Sequence, residues 1–412
     1  MYLYDNLLIS YLNNGIKCYV KKTPIDFNYF YLVLVVKGGS LCDKKYCGES
    51  HFVEHSLLEF DGENLYKNKL EYNIKATTSL DKTVFILSCK NKKENIEKLI
   101  VIMKNIILGK YLKENNLEKI RKDIIIEYNR EMSNNISYCK MYEQLLKLSK
   151  IADSMPIGNI NDINKIKHED IVNYFNENYT PENMAVLCLG KFNPKTMTKK
   201  IEELFSNNFV IENMEPIEKD NKTDLDKSPM FYKKFIANIN SIHIFILNPI
   251  DDRHIVKNEL IESITITFLE EILNTILRNI VYSVKIEINQ FSYRNRFIHI
   301  IVFPKKPTYN LQREVNWGCL RVLHCLKTKQ YNKLLDEVFA AYYDSFHQQD
   351  VNMSQQINQL IDTFLYNKQM YDNNELLICL KTLSKEEIML TLKNAIEKIL
   401  QNINVHIFEI VK

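Results

Sequence analysis

Apolar and polar positions along the first ninety residues follow two different periods. "GIKCYVKKT" (15–23), "FYLVLVVKGGS" (30–40) and "KTVFILSCK" (82–90) are β-branched or aromatic runs closed by turn residues, which predicts strands. Between the second and third runs, "GESHFVEHSLLEF" (48–60) reads as a helix, and "GENLYKNKLEYNI" (62–74) spaces its apolar residues as a further helix would. Helical text then runs from Lys93 to Lys150, followed by a helix in "HEDIVNYFNENY" and a strand in "NMAVLCLGKF".

Residues 211–229, "IENMEPIEKDNKTDLDKSP", are charged and poor in apolar positions, the composition of a linker. Beyond it the order recurs loosely. A strand ("SIHIFILNP") precedes a long helix ("IESITITFLEEILNTILRNI"), two strands ("YSVKIEINQFS", "FIHIIVFPK"), more helices and a closing strand "NVHIFEIVK". This predicts a duplicated α+β unit, each copy a mostly antiparallel sheet with packed helices: one domain over 1–213, a linker over 214–228 and a second domain over 229–412.

Length agrees, because 412 residues exceed what one hydrophobic core usually organises. Apolar residues at 46% and charged residues at 25% are ordinary for a globular protein. A net charge of +3 with interleaved signs argues against a nucleic-acid or membrane surface as partner. The opening residues lack a basic region followed by an unbroken apolar core, and no apolar run is long enough to cross a bilayer, so the expected location is cytoplasmic. Nine scattered cysteines, with no secretory signal, are expected to be free thiols.

The chemistry concentrates in "HFVEH". On a helix, His51, Glu54 and His55 share one face, while Val53, Leu57 and Phe60 project from the other. Two neutral imidazoles four residues apart can reach one Zn²⁺, leaving positions for a third ligand and a water, with Glu54 free as general base. H-x-x-E-H is a known catalytic metal pattern, and this composition produces it by chance only about 0.02 times. The alternative is a polar helix face with surface histidines. For the third ligand, Leu117, Ile120, Ile124, Glu127 and Glu131 fall on one helical stripe, so Glu127 interrupts an apolar face. Glu131 is a second candidate, and Glu127 could instead pair with Arg130 or a basic residue one turn back. Cys47, His51 and His55 form another series, but Gly48 places the thiol outside the first turn.

These residues resemble the inverzincin peptidases of the M16 type, the family of pitrilysin, insulin-degrading enzyme and mitochondrial processing peptidase. "ESHFVEHSLLEF" resembles its metal helix, "NGIKCYVKKTPIDFNYFYLVLVVKGGS" its opening strands, "ATTSLDKTVFIL" the strand that follows, and "DIIIEYNRE" its ligand-bearing segment, with 71 residues between His55 and Glu127. The resemblance implies a zinc-dependent endopeptidase of duplicated α+β domains. His51, His55 and Glu127 would hold Zn²⁺, Glu54 would be the base, and the peptide would add as a strand near Ala76 and Thr77. It also implies substrate-binding roles for Arg278 and Tyr282 in "LRNIVYS", a shortened form of a family segment. Lys75 and Ile120 depart from the family pattern. The resemblance further implies a homodimer or a heterodimer with a related M16-like subunit, and a place in maturing a ribosomally made peptide. A non-catalytic subunit that binds peptide or scaffolds such a pair is the alternative.

Overall fold

The computed structural model describes residues 2–4, 6–23, 28–60, 63–64, 72–149, 151–205, 231–236, 240–247, 256–291, 296–306, 311–327, 331–347, 353–366, 373–401 and 405–411. The chain divides into two compact units, Met1–Asn135 with Tyr142–Thr223, and Ile136–Met141 with Asp224–Lys412. The expected linker at 214–228 lies outside the described residues.

In the first unit, strands β1 (Tyr2–Tyr4), β2 (Leu7–Tyr11), β3 (Lys17–Lys22) and β4 (Tyr29–Val36) precede helix α1 (Glu49–Ser56). A short hairpin, β5 (Glu59–Phe60) with β6 (Glu63–Asn64), is followed by β7 (Tyr72–Thr78) and β8 (Thr83–Lys90). Helices α2 (Lys93–Ile107), α3 (Leu117–Leu148), α4 (Ile160–Ile163) and α5 (His168–Asn178) lead to β9 (Met184–Gly190) and α6 (Pro194–Phe205). α3 leaves helical geometry at Asn135, with φ −133° and ψ 26°. The second unit contains β10 (Phe231–Ile236), β11 (Ser241–Leu247), α7 (Val256–Leu277), β12 (Val281–Gln290), β13 (Arg296–Pro304), helices α8 (Leu311–Lys327), α9 (Asn332–His347), α10 (Met353–Tyr366), α11 (Asn373–Thr382) and α12 (Lys385–Gln401), and β14 (Val405–Val411).

The duplication is explicit in the sheets. The first runs β1-β2-β3-β9-β4-β8-β7 and the second β10-β14-β11-β13-β12. From β3 onward the two orders correspond strand for strand. In each, only the pair β3·β9 or β10·β14 is parallel, and the other pairs are antiparallel. The two-domain α+β expectation is borne out at this level. β4 and β9 read as unbroken apolar runs because both faces are buried: Leu32, Leu34 and Val36 join the helix-packed core, while Val33 and Val35 are equally buried.

Two local readings change. Of the stretch 62–74 read as helix, Glu63–Asn64 pairs in the hairpin and Tyr72–Ile74 opens β7, while 65–71 lie outside the described residues. Tyr72, Ile74 and Ala76 pack inward while Asn73, Lys75 and Thr77 are exposed, a period of two. β7 is stabilised by its pairing with β8, a partner outside any local window. The histidine helix also ends earlier than expected, at Ser56. Leu57 is its C-cap and Phe60 belongs to β5, so of the three apolar residues assigned to its back face only Val53 lies within the helix.

The outer strand β12 is clipped by side chains of α7. Asn274 of α7 grips β12 by accepting from Val284 N at 2.7 Å and donating to Val284 O at 2.8 Å, and Glu270 accepts from Ile286 N at 2.6 Å. These side chains occupy backbone groups that an edge strand would otherwise offer to another chain. Asn274→Leu is expected to cost about 1–3 kcal/mol of stability in the second unit, because it strands two backbone groups. Urea unfolding curves would show it, and an unchanged midpoint would refute the clip.

Candidate metal centre

α1 begins at Gly48, whose φ of 104° favours glycine and which supplies no capping side chain. The orphan amides are met from outside the helix. Asp43 accepts from Gly48 N at 2.7 Å and from Ser50 N at 2.9 Å, placing a carboxylate at the positive end of the helix. Glu49, buried in the first turn, folds the preceding loop onto itself by accepting from Lys44 N and Tyr46 N. Asp162 accepts from Cys47 N at 3.3 Å. Gly158 passes so close to the helix start that a Cβ there would lie 2.5 Å from the Cys47 carbonyl oxygen. None of this was legible beforehand. The partners of Cys47 and Gly48 on 157–163 are more than a hundred residues away, and Asp43 carried no signal beyond being an acid upstream of a glycine.

The apolar side of α1, Phe52 and Val53, is fully buried in the core shared with Ile120 and Ile124 of α3. This packing turns His51 and His55 toward Glu127. The two Nε2 atoms are 3.2 Å apart, and Glu127 Oε2 lies 3.2 Å from His55 Nε2 and 3.8 Å from His51 Nε2. The imidazole planes are perpendicular, at 90°. Among the described residues this is the group of three metal-capable side chains whose ligand atoms converge, all within 4.8 Å. Arg130 comes only to 3.9 Å from the other oxygen, Oε1. Glu131 is outside the cluster and instead accepts from Asn135 Nδ2.

Burial lowers the His51 pKa, helped by the neighbouring His55, against the charges of Glu54 and Glu127. At His55 burial acts in the same direction, but the hydrogen bond to Glu127 and the charges of Glu54, Glu127 and Asp123 outweigh it and raise the value. The hydrogen bond from His55, then the charge of His51, holds Glu127 below the usual carboxylate range despite partial burial. His51 Nδ1 is buried with no hydrogen-bond partner among the described residues. The Glu127 side chain is 32% exposed, so the centre is reached from its side.

Glu54 is buried beside this group, and its Oε2 accepts from Thr78 Oγ1 at 2.8 Å. Thr78 ends β7, the last strand of its sheet, which carries Ala76 and Thr77 just before it. Thr78 was missed, although it adjoins the two residues singled out. Arg278 and Tyr282 both lie in the second unit. Arg278 is exposed in the turn after α7, where its carbonyl accepts from Lys305 Nζ at 2.7 Å, and Tyr282 of β12 is 75% exposed.

Two family models match the chain: the insulinase family, peptidase family M16, over residues 28–148, and the peptidase M16 inactive domain over residues 165–314. The chain belongs to peptidase family M16. Helix α7, which stands between β11 and β12 as α1 stands between β4 and β7, contains no histidine or cysteine. This M16 chain is 26% identical over 366 residues to a probable zinc protease PqqL of Haemophilus influenzae, covering 81% of the chain and 36% of that protein. It is 23% identical over 209 residues to the mitochondrial-processing peptidase subunit beta of Dictyostelium discoideum, covering 48% of the chain and 44% of the relative. The chain thus spans less than half the length of these relatives. The crystal structure of the first half of the periplasmic protease PqqL from Escherichia coli superposes with a TM-score of 0.80 at 15% identity, over 99% of this chain and 92% of that one. No described helix is long and apolar enough to cross a membrane.

Proposed function

We propose that this M16 chain is a zinc-dependent endopeptidase acting on peptides or unfolded segments, with His51, His55 and Glu127 as ligands and Glu54 as general base. The observation that carries the reading is the convergence of two Nε2 atoms and one carboxylate oxygen within 4.8 Å. A tetrahedral zinc with bonds of about 2.0–2.1 Å has ligand atoms roughly 3.3 Å apart, and two imidazoles with a carboxylate are a donor set zinc uses in catalytic sites. The edges of 3.2, 3.2 and 3.8 Å fit that frame. Zinc, when bound, supplies a Lewis acid that polarises a peptide carbonyl and lowers the pKa of water.

The chain's own residues do the rest. Glu54 takes the proton from the attacking water at its carboxylate and passes it to the leaving amine, while the Thr78 hydroxyl fixes the orientation of that carboxylate. A substrate strand adds along β7 at Ala76 and Thr77, where backbone pairing binds without demanding a sequence. Arg278 and Tyr282 are proposed to contact substrate from the second unit. Pairing with a second M16-like subunit, either the same chain or another, is part of this proposal; one relative, the mitochondrial-processing peptidase subunit beta, is itself named as a subunit. Light scattering on the purified chain tests this, since full activity as a monomer would sink the pairing.

His51→Ala tests the metal. About one zinc per chain should fall to none, because two remaining ligands hold zinc far more weakly than three. A wild-type protein that purifies without zinc and gains no stability from added zinc would favour the non-catalytic peptide-binding subunit.

A further inference from the structure

We propose that Lys119 and Arg121 are positioning residues that set the reach of Glu127 to the two imidazoles, a role that rests on the zinc reading above. They flank Ile120, which is buried in the core. Arg121 is 8% exposed and joins three segments. Its Nη1 donates to Ile163 O, its Nη2 donates to Ile166 O at 2.7 Å, and its guanidinium carbon lies 5.5 Å from the centre of the Phe52 ring. Phe52 adjoins His51 on α1. Ile163 and Ile166 follow Asp162, the residue that holds Cys47 N at the start of α1. One side chain of α3 therefore bears on both the metal helix and the loop that anchors it. Lys119 makes a second tie, pairing with Glu59 just past the end of α1. Glu59 is 1% exposed, and a buried carboxylate is costly unless a cation meets it.

The apolar contacts between α1 and α3 hold the helices together but are non-directional, so they tolerate sliding. A guanidinium fork on two carbonyls is directional and fixes the axial position of α3. Glu127 lies six residues beyond Arg121, about 9 Å along the helix at roughly 1.5 Å per residue. Zinc ligands must sit within about 0.2 Å of their ideal distances, so small slippage at the fork spoils the set.

The test uses the full chain with Arg121→Lys, which keeps charge but cannot span two carbonyls, and Lys119→Met combined with Glu59→Gln, which removes the tie without leaving a buried carboxylate unmet. Zinc affinity is measured by chelator competition, the visible spectrum of the Co²⁺ form reports ligand geometry, and melting of the metal-free protein reports folding. Arg121→Lys is expected to weaken zinc binding about 10–100-fold and alter the Co²⁺ bands, with metal-free melting little changed; the Lys119→Met, Glu59→Gln double variant acts in the same direction. Wild-type affinity and spectrum in both variants would overturn the proposal, as would affinity that falls only in step with metal-free melting. A wild-type chain that binds no zinc through His51 would instead sink the zinc reading, and this proposal with it.

Discussion

Glu54→Gln is expected to lower the turnover of a peptide substrate by about 10²–10⁴-fold, the usual contribution of a general base. Zinc content should stay at the wild-type level. Glutamine matches glutamate in shape, and its carbonyl can still accept from Thr78 Oγ1, so α1 keeps its place against β7. It cannot take a proton, however, and Glu54 is not one of the three converging ligands. The prediction separates base from ligand through two readouts on one protein, hydrolysis rate and bound zinc. Retained hydrolysis would refute Glu54 as the base. Loss of zinc together with hydrolysis would show that Glu54 holds the metal.

The second unit is expected to lose stability steeply between pH 7 and pH 5. His243 of β11, His299 of β13 and His406 of β14 are each 2% exposed. With His243 and His299 neutral and protonated on Nε2, one chain of hydrogen bonds closes. Asn289 Nδ2 donates to His299 Nδ1 at 3.0 Å, His299 Nε2 to His243 Nδ1 at 2.9 Å, and His243 Nε2 to Ser241 Oγ at 3.0 Å. Phe245 stacks on His299 with ring centroids 4.0 Å apart. Burial pushes His243 down to about 4 and His406 down to about 4; burial, then the nearby His243 and Lys285, pushes His299 down to about 3.

The folded state thus keeps these rings neutral while the unfolded chain takes up protons below about pH 6.5. Their neutral burial costs nothing well above that value, and stability falls as pH drops toward the depressed folded values. At pH 5 each ring costs about 2 kcal/mol, the three together roughly 6 kcal/mol, comparable to the whole stability of a small domain. Trp317, the single tryptophan, lies in α8 of this unit, so its fluorescence during urea unfolding follows the transition. A midpoint that does not fall between pH 7 and pH 5 would refute the account.

Much of the fold was legible because its signals are local. Apolar runs marked β4, β9, β11 and β13, and β9 and β11, buried at every residue, need no polar alternation. The recurrence of strand and helix order pointed to duplication, which the matching sheet orders bear out. The failures are also physical. The start of β7 was read as the end of a helix because Tyr72–Ile74 continues a stretch with helical spacing, and its strand character depends on pairing with β8. α1 was read too long because Leu57 and Phe60 continue the apolar rhythm, although the chain leaves the helix after Ser56.

The local order of residues alone placed His51, Glu54 and His55 together on one helix face, because a period of 3.6 residues sets neighbours three and four apart side by side. It also singled out Glu127 as a carboxylate on an apolar stripe. No local signal told that Glu127 Oε2 arrives 3.2 Å from His55 Nε2 while Glu131 stays outside, or that Glu54 meets Thr78. Those distances depend on how α1, α3 and β7 pack, and packing is set by contacts between segments far apart in the chain. The supports of α1, Asp43, Asp162 and Arg121, belong to the same category: each acts through backbone groups whose positions exist only once the chain has folded.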